Sequence, residues 1–278
     1  MSDDASTPAP ATHAPLARTK AILFDLDGCL WFGDTAADGA AELLEDVRAS
    51  GRRVGFVSNV SSTRAADVTA KLRRLGFTAS PEEVIVPLDL LADHPLLAGR
   101  PRTLVVGNAA VRAAVAEATK VTHDPNEAEL VVLARDRAFD YGTLSDALQP
   151  LLRGAPLLAL NVDARVPADG GRIEPGAGAL AASLETAAGI RAEVVGKPSR
   201  SFFRAALRRF GVDAADAAIV GDTLDADIAG GAAAGMITVH VGTNHGSAHR
   251  TPPVPDHAAA DVRGVRALLG DLVAREGA

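Results

Sequence analysis

Short runs of consecutive apolar residues, each closing on a small, polar or acidic residue and each followed by a helical pattern, set the tightest limit on how this chain can fold. The first run, AILFD over 21–25, predicts a buried strand because it is apolar along its length rather than alternating. Residues 38–51 follow, with Ala40, Leu43, Leu44 and Val47 at helical spacing and Gly51 as a stop. RVGFVSN over 53–59 is the next expected strand, and a helix with Val68, Leu72 and Leu75 on one face ends at Gly76. Strand, helix, strand, helix predicts an α/β fold built on a Rossmann-like, doubly wound parallel sheet.

The alternation returns toward the C-terminus. Strands are expected at 192–196, 217–222 and 237–242. A helix is expected over 199–211, with Ser199 as N-cap, Phe203, Ala206, Leu207 and Phe210 on one face, and Gly211 as the stop. In between, RTLVVG (102–107), ELVVLA (129–134) and PLLALN (156–161) predict three further strands separated by helical patterns. Pro87 and Pro95 mark the entry to this stretch, and the Gly-rich DGGRIEPGAGAL (169–180) its exit. The expected organisation is a core formed by 19–86 and 187–278, with an α/β domain inserted at 87–186. Residues 1–18, rich in Ala, Pro, Ser and Thr, read as a disordered leader, and 243–257 as a loop.

Composition narrows the class. The hydrophobic fraction is 47% and the aromatic fraction only 4%, so the core must be built from Ala, Val, Leu and Ile. A net charge of −7 argues against a nucleic-acid partner, whose phosphates would call for a basic surface. The single cysteine rules out an internal disulfide and suits a reducing cytoplasm. No apolar run reaches the roughly 18 residues of a membrane helix. The start of the chain, with Asp3 and Asp4 and no apolar stretch after them, does not resemble a signal peptide. A cytoplasmic protein with no membrane partner is the expectation; its oligomeric state, a homodimer included, is open.

Four strand ends carry chemistry. Asp25 and Asp27 follow the first strand with Gly28 to let the chain turn away. Two carboxylates held close repel unless a cation intervenes or one takes a proton. A metal-held carboxylate can attack phosphorus, and a protonated one can protonate a leaving oxygen. GDTLDAD (221–227) places Asp222, Asp225 and Asp227 where a helix opens; capping accounts for one acid, and three suggest a hard cation such as Mg²⁺. Lys197 in GKPS (196–199) offers a point charge to an anion. Ser58 and Asn59 offer a hydroxyl and backbone N–H groups to phosphate oxygens. Singly, each has an ordinary explanation as a turn, a cap or a surface charge. His240, His245, His249 and His257 include one helical spacing, His245 with His249, set among Gly and Ser, so no transition-metal site is expected.

Taken in order, D-x-D-G, S-N, G-K-P and G-D-x-x-x-x-D resemble the motifs of the haloacid dehalogenase (HAD) superfamily, subfamily IIA. That subfamily includes pyridoxal, phosphoglycolate and p-nitrophenyl phosphatases and a bacterial nucleotidase. The likeness extends over about 19–270 and includes ELVVLARDRAFDYGTLSDAL (129–148), VVGKPS (194–199) and VGDTLDADIAGGAAAGM (220–236). The resemblance implies that Asp25 is the nucleophile, and that Asp27 is the general acid and base and lends its backbone carbonyl to the metal. It implies that Ser58, with Asn59, and Lys197 hold the phosphoryl group, that Asp222 binds Mg²⁺ and that Asp227 supports it. It further implies a phosphatase acting on a small phosphorylated metabolite through a phosphoaspartate. A nucleotidase of the same family and a catalytically weak sensor of a phosphometabolite are the alternatives. A carbon–halogen hydrolase would need no metal and would gain nothing from Asp27, Asp222 and Asp227 together.

The insert resembles the family's large cap, which seals the pocket against macromolecules, and Asp163 and Arg165 are its residues expected nearest the leaving group. Three positions depart from the family pattern: Cys29 where Thr is commonest, Val60 where a second Asn is frequent, and Val162 in place of Pro within Asn161-Val162-Asp163.

Overall fold

The protein is described by a computed structural model covering residues 16–168, 172–242 and 253–276. Its largest sheet has six strands, ordered His257–Ala259, Ile237–Val241, Ala217–Gly221, Ala21–Asp25, Arg53–Val57 and Val84–Ile85, and every pairing is parallel. The path through the sheet starts at Ala21–Asp25, steps outward to one side, and returns to fill the other. The strand order therefore reverses between Ala21–Asp25 and Ala217–Gly221. Loops leave in opposite directions there and open a crevice beyond the carboxyl ends of both strands.

Burial on both faces explains the unbroken apolar runs. Ile22 and Phe24 face one apolar cluster with Leu43, Val47 and Leu72; Leu23, Val57 and Ile219 face another with Phe202, Phe203 and Phe210. The helix Arg200–Phe210 starts after Ser199 and ends at Gly211, whose left-handed φ of 56° stops it as expected.

A second sheet has five strands, ordered Glu193–Val194, Leu157–Ala159, Leu130–Leu133, Arg102–Val106 and Lys120–Thr122, all parallel. Leu88, Leu91 and Leu97 join its Val105, Leu130, Val132 and Leu158 to the same apolar cluster that holds Ile22 and Phe24, so the two sheets share an apolar seam.

Several expectations are corrected. The strand expected at 192–196 as part of the core pairs instead with Leu157–Ala159, so the second sheet runs past the boundary expected at 186. The predicted strands end one or two residues early, at Asp25's neighbours Val57 and Gly221 for example, because the following residues turn out to form the site. Leu16–Arg18 forms a 3-10 helix with Leu16 buried in the core, so the last three residues of the stretch read as a leader are anchored; residues 1–15 lie outside the described chain. His257 opens a core strand rather than closing a loop, while His245 and His249 lie outside the described residues. Two antiparallel hairpins, Trp31–Phe32 with Thr35–Ala36 and Arg165–Ala168 with Arg172–Pro175, were not foreseen.

Candidate active site

The crevice gathers residues from both sides of the strand reversal. Asp25 is the last residue of the central strand, Ser58 and Asn59 follow Arg53–Val57, and Asp222 follows Ala217–Gly221. Lys197 arrives from the edge strand Glu193–Val194, buried to 3% exposure, with Nζ 2.5 Å from Asp25 Oδ1 and 2.7 Å from Asp227 Oδ1. Burial alone would pull this ammonium's pKa down, but Asp227 and Asp25 outweigh it and push it up, so the cation persists. Burial pushes the Asp25 carboxyl well above the usual carboxylate range; Asp227 and Asp222 add to the shift and Lys197 opposes it.

Carboxylate oxygens of Asp25, Asp222 and Asp227 lie within 4.8 Å of one another. One ammonium does not neutralise three clustered carboxylates. The donor set is all oxygen and two of its three carboxylates are buried, which suits a small hard cation such as Mg²⁺.

Local sequence dictates this convergence. Gly28 has a φ of 88°, and a Cβ there would lie 2.3 Å from Asp222 Oδ2, so the turn after Asp27 needs both the conformation and the space of glycine. Gly28→Ala is expected to displace Asp222 and weaken activation by Mg²⁺ about 10–100-fold, read as the Mg²⁺ concentration giving half-maximal activity. A π-helical turn over Leu224–Ile228 swings Asp227 inward, where its Oδ2 accepts from Thr223 N at 3.1 Å. His240 Nε2 lies 3.0 Å from the backbone oxygen of Asp222 and fixes that loop from the neighbouring strand.

The structure adds to the part expected of Asn59. Its Oδ1 accepts from Lys197 N at 2.8 Å, and its Nδ2 donates to Lys197 O at 3.1 Å and to Asp163 Oδ1 at 2.9 Å. Both amide hydrogens are thus committed, which leaves only the backbone N–H to offer a phosphate. The side chain is a brace for Lys197, and the backbone N–H groups of this loop stay the part expected to meet phosphate. Asn161, which the sequence did not single out for itself, donates to the Asn59 carbonyl at 2.5 Å. Ser58 is buried, and its Oγ accepts from Val60 N at 3.2 Å.

Asp27 stands apart from the carboxylate trio. Its side chain is exposed and Oδ1 accepts from Trp31 Nε1 at 2.6 Å. Asp163 reaches the site through Asn59; burial pushes its carboxyl up, and the Asn59 hydrogen bond holds the shift back. Arg165 is exposed, opens the strand Arg165–Ala168, and makes no side-chain hydrogen bond or ion pair among the described residues. Burial pushes the Cys29 thiol well up, consistent with a packed rather than reactive sulfur.

Profile comparison matches residues 22–119 to haloacid dehalogenase-like hydrolase and residues 194–265 to a second HAD-hydrolase-like family. Human glycerol-3-phosphate phosphatase is 36% identical over 258 residues, covering 82% of this chain and 80% of its own. Acid sugar phosphatase of Staphylococcus aureus is 32% identical over 226 residues, covering 81% of this chain and 86% of its own. The structure of glycerol phosphate phosphatase from Mycobacterium tuberculosis in complex with magnesium superposes with a TM-score of 0.79 at 31% identity, covering 91% of this chain and 78% of that one. The chain belongs to the haloacid dehalogenase-like hydrolases, subfamily IIA. Within that family it is a phosphomonoester hydrolase. Among the described residues no helix is long and apolar enough to cross a membrane.

Proposed function

We propose that the protein hydrolyses a phosphorylated small polyol or sugar in a Mg²⁺-dependent reaction that passes through a phosphoaspartate on Asp25. The observation that carries this is the buried group of Asp25, Lys197, Asp222 and Asp227 at the point where the sheet's strand order reverses. Asp25, Asp222 and the Asp27 backbone carbonyl would hold Mg²⁺, which would supply Lewis-acid neutralisation of phosphoryl charge. Lys197 and the Ser58 hydroxyl hold phosphoryl oxygens, with backbone N–H groups of the Ser58–Asn59 loop. The Asp25 carboxylate attacks phosphorus in line; the bond to the leaving oxygen breaks, and Asp27 gives that oxygen its proton. Asp27 then takes a proton from the water that attacks phosphorus, which frees Asp25 and releases phosphate.

Residues of the second sheet act as a cap. Asn161 and Asp163 hydrogen-bond to Asn59 directly, so the loop after Leu157–Ala159 lies against the phosphate loop. The glycerol phosphate and sugar phosphate activities in the names of the relatives support the same substrate class. A panel of phosphorylated metabolites ranked by kcat/KM tests it. Glycerol and sugar phosphates are expected to lead, and chelation to lower turnover by on the order of 10²–10³-fold. Full activity after chelation, or preference for a phosphoprotein, would overturn the proposal.

A further inference from the structure

Asp27 lies at the mouth of the crevice, where an exposed carboxylate on a turn is free to adopt several rotamers. One contact restrains it: the indole Nε1 of Trp31 donates to Oδ1 at 2.6 Å. Trp31 is itself tightly held. It is 3% exposed, its N–H donates to Leu26 O at 3.1 Å, and its carbonyl accepts from Gly28 N at 2.9 Å. The ring also lies beneath Lys71, whose Nζ is 4.5 Å from the ring centroid and comes from the helix Ala65–Arg74. A cation over the indole face draws electron density from the ring and makes its N–H a better donor. Trp31 is the sole tryptophan of the chain.

An indole N–H can donate but cannot accept. The unprotonated oxygen of a carboxyl group is the better acceptor, so the Trp31 contact on Oδ1 favours Oδ2 as the oxygen that carries an acid proton. We infer that Trp31 is the positioning residue for Asp27: its N–H pins Oδ1, and the proton exchanged with the leaving group and with water is carried on Oδ2. Lys71 supports the ring from the far side. The inference rests on the proposed role of Asp27 as general acid, and adds which oxygen does the work and what holds it.

The test compares glycerol 3-phosphate, whose alkoxide must be protonated as it leaves, with p-nitrophenyl phosphate, whose phenolate leaves as a stable anion. Trp31→Phe keeps an aromatic ring and removes the donor. It is expected to lower kcat/KM for glycerol 3-phosphate about 10–100-fold, part of the contribution typical of a general acid, while kcat/KM for p-nitrophenyl phosphate changes less than about threefold. In an Asp27→Asn background the same change is expected to leave the ratio of the two substrates where Asp27→Asn alone puts it. Should Trp31→Phe disturb folding, benzothienylalanine installed at position 31 keeps the bicyclic volume, replaces N–H by sulfur, and should give the same ratio. Equal losses on both substrates, or a further change of ratio in the Asp27→Asn background, would overturn the positioning role. An unchanged ratio in Asp27→Asn alone would remove the acid assignment itself, and the inference with it.

Discussion

Asp25→Asn removes turnover and leaves the fold in place. The amide keeps the volume and can still accept from Lys197, whose Nζ is 2.5 Å from Oδ1, but it cannot attack phosphorus. The expected loss in kcat is on the order of 10⁴-fold or more, since the residual rate would come from binding and charge stabilisation alone. The melting temperature should move by no more than about 4 °C, the size of a ~1 kcal/mol change in a chain of this length. The lost attraction to Lys197 is offset, because the buried Asp25 charge is desolvated and repelled by Asp227 and Asp222, and Lys197 keeps Asp227 as its partner. Retention of a tenth of the wild-type rate would exclude Asp25 as the nucleophile.

Lys197→Met should come next in severity. The ammonium is the cation that bridges Asp25 and Asp227, and all three groups are buried. Without it a phosphoryl oxygen loses its point charge, and kcat/KM should drop about 10²–10³-fold. The fold should suffer too. Taking one partner from a buried ion pair costs about 3–5 kcal/mol because the remaining charge is left uncompensated. Added Mg²⁺ should recover part of the lost melting temperature in the variant, because a cation at the trio replaces some of the missing charge. A variant with wild-type stability in metal-free buffer would show that the pair is not what holds these carboxylates together.

Much of this fold is legible in the chain. A parallel sheet buried on both faces demands continuous apolar strands, and AILFD, RVGFV, AAIVG and ITVHV supply them. Asp25, Ser58 and Asp222 are legible for the same reason: Asp25 ends, and Ser58 and Asp222 follow, recognisable strands of one parallel sheet and so lie at the same edge of it, whereas Lys197 comes in from the second sheet. Other features depend on contacts between distant segments. Glu193–Val194 is a two-residue strand with one partner, and its apolar pattern does not say which sheet it joins. The C-terminal helix Val262–Glu276 carries its apolar face in Val262, Val265 and Leu269, but Gly264 and Gly270 interrupt a helical reading. Asn59 was expected to offer its backbone N–H to phosphate; only the fold reveals that its side-chain amide is occupied by the Lys197 backbone, 138 residues on. Trp31 gave a local signal, four residues beyond Asp27, but its direction depends on the hairpin it begins.

The central claim is transfer of the phosphoryl group to Asp25. Rapid acid quench during turnover of p-nitrophenyl phosphate with Mg²⁺ addresses it most directly, because a good leaving group makes breakdown of the phosphoenzyme the slower step. The expected result is a burst of nitrophenolate equal to the enzyme present, with the phosphoryl group found by peptide mass spectrometry on Asp25 and absent from Asp25→Asn. Turnover without a burst on an enzyme that never carries phosphate, or a phosphoryl group on any other residue, would contradict it.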